Sequence, residues 1–214
     1  MIDYADRGNI YPVCYFPPVA WFAGMTGEKA AWVEVCKHYR KQEYTNRMFI
    51  RVSNRVMPLT VPVARRGKKT PLKDKKISYQ EDWQRQHWRS ILFAYTHSPY
   101  FEFYRDAIEP FYVRKFPFLV DYLLEIQEML IGLLKIPVSL EPTIDYFPPN
   151  DYRKDYRNDF DPQREALPKW YTSVQYTQVF EGFFPNLSVL DLLCNEGPES
   201  LRILKDCGVK NTTA

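Results

Sequence analysis

Asn46–Val63, NRMFIRVSNRVMPLTVPV, reads as two β-strands joined by a tight turn. Its β-branched content and the polar Ser53-Asn54 pair place strands at Asn46–Val52 and Met57–Val63. Pro58 and Pro62 lack a backbone donor, which puts the return strand at a sheet edge. Upstream, Asn9–Phe16 (NIYPVCYF) reads as a buried first strand stopped by Pro17-Pro18. Val19–Gly24 is expected as a helical turn and Ala31–Cys36 (AWVEVC) as a second strand. Downstream, the apolar spacing lengthens to that of helices. Ser78 and Glu81 form a capping box for a helix over Tyr79–Thr96. Ser98, followed by Pro99, is an N-cap for a second helix to about Arg114. Phe118–Leu134 is a third, and Val138–Ile144 is again a strand.

Strands thus flank a central run of three helices. That order predicts an α/β or mixed α+β fold in one domain over residues 1–214, with a central sheet and an N-terminal β-hairpin. The strand order is left open. Residues 148–169 are polar and mixed in charge, and read as a long loop, a length usually functional or disordered. Tyr171–Phe184 should return to the core, part of it as a strand. Ser188 caps a helix through Leu193, Gly197-Pro198 breaks it, and a last helix runs from Pro198 to Gly208.

The charge balance excludes several functions. A net charge of +3 is too weak for a nucleic-acid interface. Cys14, Cys36, Cys194 and Cys207 have no CxxC spacing and the chain has three histidines, so no metal site is expected. Apolar neighbours suggest buried free thiols in a reducing, cytoplasmic setting. The N-terminus is polar, unlike a signal peptide. Phe116–Ile136 carries Asp121, Glu125 and Glu128 on one stripe, the mark of an amphipathic helix and not of a transmembrane segment. GxxxxGK[ST], GxGxxG and GxSxG are absent, which disfavours ATP-driven ligation, nicotinamide hydride transfer and serine hydrolysis.

The densest chemistry lies in His38–Arg47, HYRKQEYTNR. Lys41, Gln42, Asn46 and Arg47 supply donors suited to an anionic or carbonyl-bearing ligand. If the Ala31 strand continues, His38, Arg40 and Gln42 alternate onto one face. His87 follows Trp83 by one helical turn and is a candidate base, with His38 as the second candidate. Tyr15–Pro18 ends a strand, where open α/β sheets bind ligands. The basic loop Arg65–Lys76 could attract a phosphate. Each has a plainer reading: a packed core histidine, a turn-forming Asn beside a surface Arg, a solvated charge run.

An ordered set of short motifs adds to this. It comprises Tyr15-Phe16-Pro17-Pro18, Trp21-Phe22-Ala23, His38, Lys41-Gln42, Tyr44, Asn46-Arg47 and Leu59–Val63. It continues with Trp83, His87, Ala94-Tyr95, Ser98–Phe101, Tyr176, Gln178, Phe180, Pro185–Ser188, Asp191–Leu193 and Asn195–Pro198. The set resembles the WbqC-like protein family over most of the chain. Members of that family occur in bacterial O-antigen and surface-polysaccharide gene clusters. The resemblance implies glycyl or acyl transfer to an amino sugar or nucleotide sugar; it names no cofactor and fixes no catalytic residue. On that expectation His87 or His38 takes the proton from the attacking amine, and Asn46 or Gln42 stabilises the oxyanion. Arg47 and Lys41 hold phosphate or carboxylate, and Trp83, Tyr95 and Tyr100 wall the sugar ring. The alternative is a non-catalytic protein that binds a nucleotide sugar or lipid carrier, or assembles with a synthase. Donor, sugar and oligomeric state stay open.

Overall fold

The computed structural model describes residues 8–53, 55–64, 70–146, 148, 154–162 and 167–208. Three short strands form a parallel sheet in the order β1-β2-β5: β1 Asn9–Pro12, β2 Ala30–Glu34 and β5 Ser139–Pro142. Asn9 registers with Ala31 and Ala30 with Ser139, so β2 is the central strand. Outside β1, Tyr156 N–H donates to Ile10 and Ile10 N–H donates to Lys154, both at 2.9 Å. Residues 154–156 thereby occupy the open edge of β1. A second, antiparallel pair stands apart: β3 Arg47–Val52 and β4 Arg55–Thr60, with Pro58 opposite Phe49. The hairpin is as expected, with β4 begun and ended a few residues early; Asn54 of its turn lies outside the described residues.

Six α-helices are seen among the described residues: α1 Val19–Ala23, α2 Trp83–Tyr95, α3 Phe101–Ile108, α4 Leu119–Leu134, α5 Val189–Glu196 and α6 Ser200–Cys207. In α4 the buried residues Leu119, Tyr122, Leu123, Ile126, Leu130 and Leu134 recur at helical spacing, while Asp121 and Glu128 face out. Among the described residues no helix is long and apolar enough to cross a membrane. All four cysteines are free, and Cys14, Cys194 and Cys207 are buried.

Several expected boundaries move, each for a local reason. The Ser78/Glu81 capping box does not form. Ser78 N–H is taken by Pro62 O at 2.9 Å and Ile77 bridges Val63, so the backbone stays extended and α2 begins at Trp83. Ser98 does not cap α3 either. Its hydroxyl donates to Tyr95 O at 2.6 Å and closes α2, and α3 starts after Tyr100. That helix stops at Ile108 because Pro110 cannot donate, and the chain tightens into a 3-10 turn to Tyr112. The last helix likewise starts at Ser200, after a 3-10 turn over Gly197–Glu199. Ser188 does cap α5, accepting from Leu190 N–H. No strand forms over 171–184; side chains order that segment instead. Gln178 Nε2 donates to Phe184 O and its Oε1 accepts from Phe184 N–H.

Candidate functional site

The carboxyl ends of β1, β2 and β5 point the same way, the side on which open parallel sheets bind ligands. Glu34, the last residue of β2, is 0% exposed there. A charge in an apolar strand must be paired to be tolerated, and this one is fully engaged. Its Oε1 accepts from Cys36 N–H at 2.7 Å and from the Thr143 hydroxyl at 3.1 Å. Its Oε2 accepts from Arg157 Nη1 at 2.9 Å. Arg157 forks onto Asp155, Nε to Oδ1 at 2.9 Å and Nη2 to Oδ2 at 2.6 Å, and lies 5.3 Å from the Tyr146 ring centroid. Burial works against the guanidinium charge, but Asp155 and Glu34 outweigh it and hold the pKa above the ordinary arginine value.

This cluster lies beneath a concavity of about 220 Å³. His38, Lys37, Arg40 and Glu43 line it from the segment after β2, and Tyr146 lines it from the segment after β5. His38 is exposed at its edge. Glu43 gathers the loop: it pairs with Lys37 at 2.8 Å and with Arg40 at 3.4 Å. The strand does not continue to His38 as the alternation required. It ends at Glu34, Gln42 has a left-handed backbone (φ 64), and His38 bridges Pro71 instead.

A larger cleft of about 670 Å³ adjoins it, since Tyr44 and Asp159 of its wall follow Glu43 and Asn158 of the first. Phe49, Phe160, Phe184 and Leu187 add apolar surface.

The remaining expected site residues are spread through the fold. His87 is 5% exposed; its Nδ1 pairs with the Tyr15 hydroxyl at 3.0 Å, and that oxygen meets the Tyr112 hydroxyl at 2.9 Å. Burial, partly offset by a hydrogen bond to the Thr60 backbone, lowers its pKa from 6.5 to about 4. It is a neutral core histidine at neutral pH, packed edge-on against Trp83 at 5.1 Å. Trp83 and Tyr95, expected to wall a sugar pocket, are 3% and 1% exposed. Tyr100 packs its ring on Gly197 of the turn after α5. Asn46 is buried and donates to Val61 O at 2.9 Å, leaving its Oδ1 unpartnered. Arg47 Nε donates to the Thr60 hydroxyl at 3.1 Å. Lys41 is exposed and its charge, after burial, helps lower the pKa of Lys75. Only His38 of the two expected bases therefore lines a described concavity. Part of the basic loop, residues 65–69, lies outside the described residues, as do 149–153 and 163–166 of the long loop.

Glu34, Asp155 and Arg157 were not singled out from the sequence. The signal for Glu34 was its place in AWVEVC: a lone carboxylate in an apolar strand requires a partner.

No group of three or more His, Cys, Asp or Glu among the described residues could hold a metal ion. No solved structure matches the chain. The "Uncharacterized protein Rv1507c" of Mycobacterium tuberculosis (strain ATCC 25618 / H37Rv) is 24% identical over 196 residues, covering 79% of this chain and 84% of that protein. The pattern of the WbqC-like protein family matches residues 13–166 and 158–203, which take in His38, Glu34, Asp155, Arg157 and the cleft. The chain belongs to the WbqC-like protein family.

Proposed function

We propose that the protein is a transferase of bacterial surface-polysaccharide synthesis. It moves an acyl or aminoacyl group, glycyl among the candidates, from an activated donor onto the amine of an amino sugar or nucleotide sugar: the amide bond forms as the bond from the acyl carbon to the donor's carrier breaks, and the carrier leaves with the bonding electrons. The active site in this reading is the carboxyl edge of the parallel sheet. The observation that carries it is the position of His38, exposed above a floor whose charges are already paired. A paired floor holds the edge rigid, and a free imidazole above it can take the proton that the attacking amine must lose. Buried His87, engaged by Tyr15, acts in this reading as a positioning residue for the segment that follows β1. Lys41 and Gln42, exposed on the same loop, would meet the phosphate and the carbonyl.

The test is transfer, followed by mass spectrometry, from glycyl and acyl donors to amino sugars and their nucleotide forms. His38→Gln should cut the rate by about 10²- to 10⁴-fold, the usual worth of a general base. Transfer by His38→Gln at the full rate would discard the assignment. Capture of a nucleotide sugar without turnover across donors would make the protein a binding module.

A further inference from the structure

We infer that Lys75, Lys41 and Arg47 form a phosphate-binding site beside the Tyr39 ring. Lys75 is the informative residue. It follows the 3-10 turn Leu72–Asp74 and is 6% exposed. Its Nζ lies 4.9 Å from the centroid of the half-buried Tyr39 ring. Among the described residues no carboxylate pairs with it. A lysine buried to that extent normally has a counter-ion. The nearby stretch 65–69 lies outside the described residues; in sequence it carries Arg65, Arg66, Lys68 and Lys69 and no acid.

Backbone bonds bring the cations to one place. Leu72 N–H donates to Lys37 O at 2.9 Å and Tyr39 N–H to Thr70 O at 3.1 Å, which clips the Lys75 turn to the loop after β2. Leu119 N–H, at the start of α4, donates to Lys75 O at 2.8 Å and holds Lys75 from the other side. Lys41, on the clipped loop, is close enough for its charge to add to burial in lowering the Lys75 pKa. Tyr39 feels burial first, then Glu43, and Arg47 in the opposite sense. Glu43 is already held by Lys37 and Arg40. Lys41 and Arg47, like Lys75, have no carboxylate partner among the described residues. Arg47 Nε donates to a neutral group, the Thr60 hydroxyl, at 3.1 Å.

The charges choose the anion. Three unpaired cations repel one another, and a ligand with two negative charges relieves that best. Two of the three are lysines, point charges that suit a tetrahedral phosphate, whereas a planar carboxylate prefers the guanidinium fork. The site deepens the transfer reading, in which Lys41 meets the phosphate, and rests on it only for the phosphate's place in a substrate; binding itself needs no chemistry.

The experiment is calorimetric titration of the whole chain with inorganic phosphate and, in parallel, with glucose 1-phosphate as a phosphate ester. Lys75→Met keeps the buried stem and removes the ammonium. It should weaken binding of both probes about tenfold or more, while the melting temperature stays at or above the wild-type value. Lys73→Gln, which removes an exposed lysine from the same turn, should bind like wild type. In wild-type protein, phosphate should slow acetylation of the Lys75 amine by acetic anhydride, mapped by peptide mass spectrometry, and leave Lys73 labelling unchanged. That footprint decides the matter even if Lys75→Met fails to fold. No binding of either probe by folded wild-type protein, binding unmoved by Lys75→Met, an equal loss in Lys73→Gln, or Lys75 labelling that phosphate does not slow would overturn the inference. With the site upheld, tighter binding of the ester names an ester as the natural source, and tighter binding of inorganic phosphate names the free anion. Phosphate binding without transfer from any donor rejects the transfer reading and keeps the site. Transfer with Lys75 unprotected rejects the site and keeps the reading.

Discussion

The guanidinium carbon of Arg51 lies 4.7 Å from the ring centroid of Phe184, so a buried cation on β3 sets the position of an aromatic on the cleft wall. Arg51 does this while its donors go mostly to backbone, with Nη1 also donating to Gln178 Oε1 at 3.2 Å. Nη1 reaches Phe180 O at 2.9 Å and Gly182 O at 2.6 Å, Nη2 reaches Glu181 O, and Nε reaches Ser53 O at 3.2 Å. One planar fork thus folds the whole turn at 180–184. Lys cannot reproduce it. Arg51→Lys should cost about 3 kcal/mol in urea unfolding, because several buried carbonyls lose a charged donor.

His87 and Asp191 titrate against each other. Burial lowers the His87 pKa from 6.5 to about 4. Its contribution is present above pH 6.5 and is lost as pH falls toward 4. Burial raises Asp191 from 3.8 to about 6, with hydrogen bonds from Tyr176 and Gln178 pulling back. Its contribution runs the other way: present below pH 3.8, and lost as pH rises through 6. Each full shift is worth about 3 kcal/mol. The two slopes therefore oppose each other between pH 4 and 6. Asp191→Asn, whose amide oxygen can still accept from Tyr176, should give a protein whose stability rises with pH across this window more steeply than wild type. His87→Gln should show a falling slope instead. Parallel pH profiles for both variants would refute the pairing.

Removing one partner of the Glu34–Arg157 pair should be costly and removing both much less so. Glu34→Ala takes the buried carboxylate away from Arg157 Nη1 and leaves Cys36 N–H and the Thr143 hydroxyl without the acceptor they share. Loss of about 3–5 kcal/mol is expected. The double variant Glu34→Ala with Arg157→Met should recover part of it, measured by denaturant unfolding of both singles and the double as a double-mutant cycle.

Gly197→Ala should destabilise by at least about 2 kcal/mol. Gly197 has φ +52, and a Cβ there would sit 2.5 Å from the Tyr100 ring. Adding Tyr100→Ala should relieve the clash but not the backbone strain, so partial rescue in thermal unfolding is the expected result.

The fold class was legible because each element carries its own period: β-branched residues and a two-residue turn for β3–β4, and a clean helical stripe for α4. What could not be read was anything decided by distant backbone. Ser78 and Ser98 are good caps by local rule, yet Pro62 claims the first and Tyr95 the second. The HYRKQ run holds the densest donors of the sequence, but they disperse once the chain leaves β2 at Glu34. The Glu34–Arg157 pair joins residues far apart in sequence, and nothing local in DYR marks Arg157 as the partner. His87 and Trp83 share a helix face as expected; that the face turns inward depends on Tyr15 and Tyr112, which come from other elements.

The register of the parallel sheet also sets an order of assembly. Ala30 waits for Ser139, and Ile10 for Lys154 and Tyr156, while the hairpin and three helices are made in between. Until that distant chain arrives, β2 has one bare flank and β1 the other. Closing such long loops is slow relative to forming local turns. The apolar first and second strands are therefore the segments most exposed to mispairing with another chain during synthesis, and the carboxyl edge of the sheet is among the last parts of the molecule to be completed.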